Sequence, residues 1–464
     1  MKFKGFFPVL AGLLLWLLGP PEGLDTHAYH LFVVFLTVIA SLMVRAVPMA
    51  TSVLAGLAFV VMAGILPLKS ALMGYSDTTT WLVVIAFLIA GAVIETGLGR
   101  RISLLCISAL GRTITGLGYA LCLSELILGP VVPSNTARGG GILAPIVDSM
   151  SRTLGSSPTN YPEKAGRYLH LVGAHANLIT AAMFLTGMAA NPLVSKAALD
   201  IFQIQFDWLT WAKGGIVPGL IGLAGLPLLM RYLSPPTIDS IQPIREKIKE
   251  DIQWLGPWTR PEIITAATLG VMLALWSTKP LHGWGTTTVA LLGLVIILLS
   301  KTITWDQLVK NHKAWDALIW LGGLLTLANG LKDLGFIAWF GNHIENGLTG
   351  VAPLALLITL ALIYFYSMYL FSMLTAHIAA LTGTIFLVAS GVELNPFLVV
   401  GVIAYFSNLC GCLTNYSTGP VIIYFGNGYV QPLAWFRIGF IVSIYHLVVW
   451  LGIGSIWWKL IGWL

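Results

Sequence analysis

Pro133-Ser134-Asn135-Thr136-Ala137-Arg138, followed by Gly139-Gly140-Gly141, interrupts an apolar stretch near 102–145. A second apolar stretch, near 352–394, is interrupted by Ser372-Met373-Leu374-Thr375-Ala376-His377, and alignment on Thr-Ala sets Arg138 opposite His377. An apolar run broken midway by polar or glycine-rich residues reads as a re-entrant hairpin, entering and leaving the bilayer by one side. Ionisable groups are costly at that depth, so Arg138 and His377 are functional candidates.

Composition sets the class around these hairpins. The chain has 464 residues, 57% hydrophobic and 9% charged, against about 25% charged in a soluble domain. The reading is an all-α multi-pass membrane protein embedded in a lipid bilayer. Spans fall near 5–19, 29–46, 49–66, 79–98, 168–198, 211–230, 262–278, 284–300, 315–340, 396–427 and 433–457. That makes about 11 transmembrane helices of about 20 residues, plus the two hairpins. Residues 1–28 read as a retained first helix and loop, because Gly19-Pro20-Pro21-Glu22-Gly23 is a turn and not a cleavage site. The net charge of +6 comes from loop lysines and arginines, so no nucleic-acid partner is expected. Cys106, Cys122, Cys410 and Cys412 suit neither a zinc site nor a disulfide scaffold. No metal or cofactor is expected, and the lack of a P-loop excludes a pump with its own ATPase.

Charge in the loops orients the layout. With a cytoplasmic N-terminus and the hairpins counted as no crossing, only Lys69, Lys196, Lys213, Lys279, Lys332 and Lys459 fall outside. Every other lysine and arginine except Arg138 falls inside, from Lys2, Lys4 and Arg45 to Arg437. A polar segment, 232–261, divides the chain into 29–231 and 262–464, each with a hairpin and a broken span. An odd number of crossings lies between the hairpins, so the halves read as inverted repeats, a common plan of secondary transporters.

Each half pairs a hairpin tip with a broken-span motif. Thr186-Gly187-Met188-Ala189-Ala190-Asn191-Pro192 and Thr414-Asn415-Tyr416-Ser417-Thr418-Gly419-Pro420 both place Thr six residues before Pro. Proline, glycine and asparagine within an apolar span break the helix and expose backbone groups that a ligand can take up. Half-helix N-termini suit a carboxylate. Ser134, Asn135 and Thr136 are assigned to one substrate carboxylate; Thr375, with Asn415, Ser417 and Thr418, is assigned to the other. Structural use of the same hydroxyls, as local backbone partners, is the alternative for each. Arg138 needs an anionic partner, either substrate or Glu125 in the run leading to the same tip. His170 and His175 read as structural. Trp208, Trp211, Trp254, Trp258, Trp457 and Trp458 read as an interfacial belt.

These motifs resemble the divalent anion/sodium symporter family of di- and tricarboxylate carriers. The similarity is to its branch of bacterial citrate/succinate and tartrate/succinate antiporters and plastid 2-oxoglutarate/malate translocators. Thr78-Thr79-Thr80-Trp81-Leu82, Gly97-Leu98-Gly99-Arg100-Arg101-Ile102, both tips and both Pro-ended motifs carry the resemblance. It implies a homodimer in a bacterial inner membrane, favoured here over a plastid envelope, with a transport domain that moves like an elevator. It also implies Gly187, Pro192, Gly419 and Pro420 at the substrate site. Sodium-coupled relatives carry Ser-Asn-Thr at both tips. Here Met373-Leu374 replaces the second pair, and an apolar pair cannot ligate a hard cation. Arg138 and His377 would then balance the charge, and a site that cannot shed its cations resists crossing empty. The expectation is sodium-independent exchange of di- or tricarboxylates, not an enzyme. A sodium-coupled symporter, an anion channel and a membrane-embedded enzyme are the rivals.

Overall fold

The computed structural model describes residues 6–44, 47–132, 134–238, 240–345 and 352–464. Lys2, Lys4, Arg45 and Pro133 of the reading above lie outside them. All regular elements among the described residues are helices. Seven of them are long and apolar enough to cross a membrane: Thr26–Val44, Thr78–Glu95, Trp208–Leu233, His312–Asp333, Pro353–Leu370, Pro396–Leu413 and Pro432–Leu460. The remaining apolar pieces are shorter or broken. The expected span 168–198 divides into the helix Gly166–Met183, a tight turn Leu185–Gly187 and the helix Asn191–Phe202. The expected span 396–427 divides likewise into Pro396–Leu409, a tight turn Cys410–Leu413 and the half-helix Gly419–Gly426.

The chain forms two compact units, and each takes pieces from both halves of the sequence. One unit comprises Met1–Ile85, Pro192–Phe206 and His312–Ala404. Its helix His312–Asp333 packs against Met49–Met62 and Thr26–Val44. A lipid-facing helix gains little from the hydrophobic effect, so small residues must let neighbours approach closely. Gly322 and Gly323 do so here: a Cβ on the first would strike Tyr75, and one on the second would strike Val53. In the same unit Asp200 accepts from Lys196 (2.7 Å) and Lys332 (3.1 Å).

The other unit comprises Ala86–Asn191, Asp207–Asn311 and Tyr405–Leu464. The helix Gly166–Met183 runs through its middle, with every residue from Tyr168 to Met183 buried. Around it lie Ile114–Leu128, Ala144–Thr153, Trp208–Leu233 and Gly419–Gly426. The first tip and both breaks belong to this unit up to Asn191.

Candidate functional site

Thr113 caps the helix Ile114–Leu128 by accepting the Gly116 N–H, and that helix delivers Glu125 to the first tip. Beyond the tip Ser134 Oγ accepts the Ala137 N–H (3.1 Å), closing the start of the next helix. That helix begins as a wide π turn, Thr136–Leu143, and continues as Ala144–Thr153. Wide turns of this kind concentrate at functional positions.

Arg138 and Glu125 are fully buried. The Arg138 Nε donates to Glu125 Oε2 at 2.5 Å. One terminal nitrogen of Arg138 donates to the carbonyls of Val132 (2.8 Å) and Gly187 (3.2 Å), and the other to Thr180 Oγ1 (3.3 Å). Glu125 Oε1 accepts from Asn177 (3.0 Å), and Oε2 also accepts from Thr180 (3.1 Å). A buried ion pair is tolerated only when its other hydrogen-bonding groups also find partners, and here four of the five Arg138 N–H groups and both Glu125 oxygens do. The bond to Gly187 ties the first tip to the first break.

The first break is braced from within its own unit. Thr186 Oγ1 donates to the Pro130 carbonyl (2.7 Å) and accepts the Trp208 indole N–H (3.0 Å). Asn191 Nδ2 donates to the carbonyls of Ala181 (2.9 Å), in the last turn of the helix, and Phe184 (3.0 Å), just past it. Its Oδ1 accepts from Asn408 (2.8 Å). Pro192, the next residue in the chain, is buried. At the second break Ser417 Oγ donates to the Gly411 carbonyl (2.7 Å). Thr414 Oγ1 is buried without a hydrogen-bond partner, and Asn415 is half-buried.

The tip and the second break meet. Asn135, which immediately precedes the wide helix, donates through Nδ2 to Thr418 Oγ1 at 2.9 Å, and Thr418 is the residue before the half-helix Gly419–Gly426. The two helix starts are thus joined through their flanking side chains. Close packing of side chains against two glycines reinforces the junction. A Cβ on Gly139 would come within 3.0 Å of Pro420, and one on Gly419 would collide with the Thr136 side chain. First-turn N–H groups have no helical acceptor, and each helix start carries a partial positive charge. Two such starts meet here, with the Thr136 side chain lying beside Gly419.

The second tip lies in the other unit and is held by its own neighbours. Ser372 Oγ reaches the Leu42 carbonyl at 3.4 Å, and Thr375 is half-buried. His377 is fully buried. Its Nε2 lies 2.9 Å from both the Tyr364 carbonyl and Ser367 Oγ, while Nδ1 has no partner. A carbonyl only accepts, so Nε2 carries the hydrogen and the ring is satisfied as the neutral tautomer. An imidazolium would bury a second N–H with nothing to receive it.

Two features depart from what the sequence suggested. Trp208, Trp211 and Trp458, expected at the membrane interface, are buried. Their indole N–H groups bond Thr186 Oγ1, the Ala182 carbonyl and the Gly214 carbonyl, so the first two brace the first break. Asn177, Thr180 and Asn408 hold the site together and were not singled out. Their signal was present, since amides and hydroxyls within otherwise apolar helices mark internal polar contacts.

Broken helices whose starts converge on buried polar groups, within an apolar helical bundle, define a secondary transporter. The chain belongs to the family described as the sodium:sulfate symporter transmembrane region, which matches residues 2–464. It is a transporter family, not one of enzymes. A Bacillus subtilis (strain 168) protein named for malate transport, YflS, is 41% identical over 98% of this chain and 95% of its own length. The spinach (Spinacia oleracea) "Dicarboxylate transporter 1, chloroplastic" is 36% identical over 98% of this chain and 80% of its own. A Shigella flexneri protein named L-tartrate/succinate antiporter is 31% identical over 97% and 96%. The YdaH transporter of Alcanivorax borkumensis shares the fold, with a TM-score of 0.59 at 14% identity over 99% of each chain.

Proposed function

We propose that this protein exchanges one dicarboxylate for another, such as 2-oxoglutarate or succinate against malate, without sodium. The observation that carries the reading is the Asn135–Thr418 bond, which brings two helix starts together at one point. A carboxylate there would take first-turn N–H groups and the Thr136, Thr414 and Asn415 side chains. Thr186, Asn191 and Ser417 would act behind it, holding the breaks open. Arg138 would position the tip, with its charge balanced by Glu125, and His377 would serve as a neutral brace of the second tip. The positive ends are then backbone dipoles that cannot dissociate, so the unloaded site resists crossing the bilayer. That favours exchange over net uptake. Names of relatives support the cargo class: malate, dicarboxylates, and tartrate with succinate.

The competing reading is sodium symport, which the family's description names. Against it, Met373-Leu374 offers no side-chain oxygen at the second tip. Labelled 2-oxoglutarate uptake into proteoliposomes in sodium-free buffer separates the two. Exchange requires internal malate and no sodium; uptake into empty vesicles that appears only with sodium would establish symport. For the membrane setting we propose a homodimer in a bacterial inner membrane, N-terminus in the cytoplasm, moving as an elevator.

The Asn135 amide supplies one junction hydrogen bond, worth about 0.5–1.5 kcal/mol. Asn135→Ala is therefore expected to raise the apparent substrate constant by about threefold to tenfold with the protein still folded. An unchanged constant in an uptake titration would remove the junction from the site.

A further inference from the structure

The helix Gln242–Leu255 lies in the polar segment between the two halves of the chain. It buries Ile244 and Ile248 and turns Arg245, Glu246, Lys249 and Glu250 outward. Its far end is clamped by Arg101, which donates to Glu262 (2.7 Å) and to the carbonyls of Gly256 (2.9 Å) and Leu255 (3.2 Å). Trp254 follows as a 79% exposed indole and Trp258 is 45% exposed. An amphipathic helix ending in exposed tryptophans is suited to the plane of a membrane interface.

Beneath this helix lies a cavity of about 330 Å³ within the same unit. Two cations line it, Arg100 and Lys247, against one carboxylate, Asp251. Arg101 is fully used, whereas its neighbour Arg100 has no carboxylate within ion-pair distance among the described residues, and neither has Lys247. The Arg100 guanidinium rests 5.8 Å from the centre of the Trp254 ring. The rest of the wall is mainly apolar, including Ile94, Ile142 and Ile146, and Ile94 is 45% exposed. Two cations outside any ion pair, against one carboxylate, leave the cavity net positive above an apolar wall, which complements an anionic headgroup with an attached hydrocarbon chain.

We propose that this cavity binds an anionic phospholipid, its phosphodiester held by Arg100 and Lys247 and one acyl chain laid along Ile94 and Ile146. The cavity wall includes Gly141, Ile142 and Pro145 of the helix that leaves the first tip, so the lipid would grip the outer end of the element that carries Asn135 and Arg138. Its placement in the cytoplasmic leaflet rests on the orientation proposed above; binding itself does not. Maleimide labelling of Gln253→Cys in whole cells tests that orientation separately.

The test is native mass spectrometry of the full chain in detergent, with phosphatidylglycerol or phosphatidylcholine added. Wild type is expected to retain phosphatidylglycerol in clear excess over phosphatidylcholine. Each juxtamembrane cation contributes roughly fivefold to anionic-lipid binding, so Arg100→Gln with Lys247→Gln should remove the excess. Asp251→Asn should increase it, which keeps the test decisive if the double variant fails to fold. Equal retention of both lipids, an unchanged adduct in the double variant, or a loss in Asp251→Asn overturns the proposal. Displacement of phosphatidylglycerol by millimolar inorganic phosphate would assign the cavity to a free anion and overturn the lipid.

Discussion

Arg138→Met should abolish the proposed exchange and destabilise the protein by about 3–5 kcal/mol, because Glu125 is left inside the bundle without its partner. The loss of function has a second cause. Arg138 holds the tip carbonyl of Val132 and the first-break carbonyl of Gly187 with one terminal nitrogen, so its removal frees the tip from the break. Thermal unfolding in detergent and uptake into proteoliposomes read the two effects apart. Glu125→Gln combined with Arg138→Met should regain most of the stability, since replacing both members of a buried pair by uncharged groups is often neutral. Exchange should stay absent in that double variant. Near-normal exchange in Arg138→Met alone would sink its positioning role.

Gly419→Ala is the second large effect. The added methyl would overlap the Thr136 side chain, lying 2.6 Å from Cγ2 and 3.0 Å from Cβ. Threonine is branched at Cβ, so rotation exchanges one offending atom for the other and the helix starts must separate instead. Overpacking of this kind destabilises by about 1–3 kcal/mol, and separation of the starts should cut uptake by at least about tenfold. Gly141→Ala is the control: its nearest neighbour would be the Thr136 carbonyl at 3.9 Å, so it should leave uptake unchanged. Equal activity of the two variants would show that the junction does not govern transport.

The legibility of this protein in its sequence was uneven for physical reasons. Apolar runs disclose a helical membrane protein because the bilayer forbids unpaired backbone, and proline with glycine and asparagine discloses where helices break. What each polar side chain does at a break was not legible. Thr186, Asn191 and Ser417 have the same chemistry as Thr136 and Asn415, yet the first three spend their hydrogen bonds on backbone or side chains beside the break. Neighbours further along the chain contribute as well, Asn408 for Asn191 and Trp208 for Thr186. The tryptophans misled for a related reason. An indole braced on a break and an indole at a headgroup look alike in composition, because each needs one polar contact and an apolar body. Arg138 was ambiguous between substrate and Glu125 until geometry placed the carboxylate at 2.5 Å.

Asn135 and Thr418 stand 283 residues apart. During synthesis at about 5–20 residues per second, the first tip therefore waits of the order of tens of seconds for its counterpart to leave the ribosome. Throughout that interval Asn135 has no Thr418 to bond. A truncated product ending in the polar segment would carry Glu125, Arg138 and Trp208 but neither Asn408 nor Thr418. Formation of the junction thus waits for the second half of the chain, so a partly made copy lacks the meeting of helix starts on which the proposed site depends.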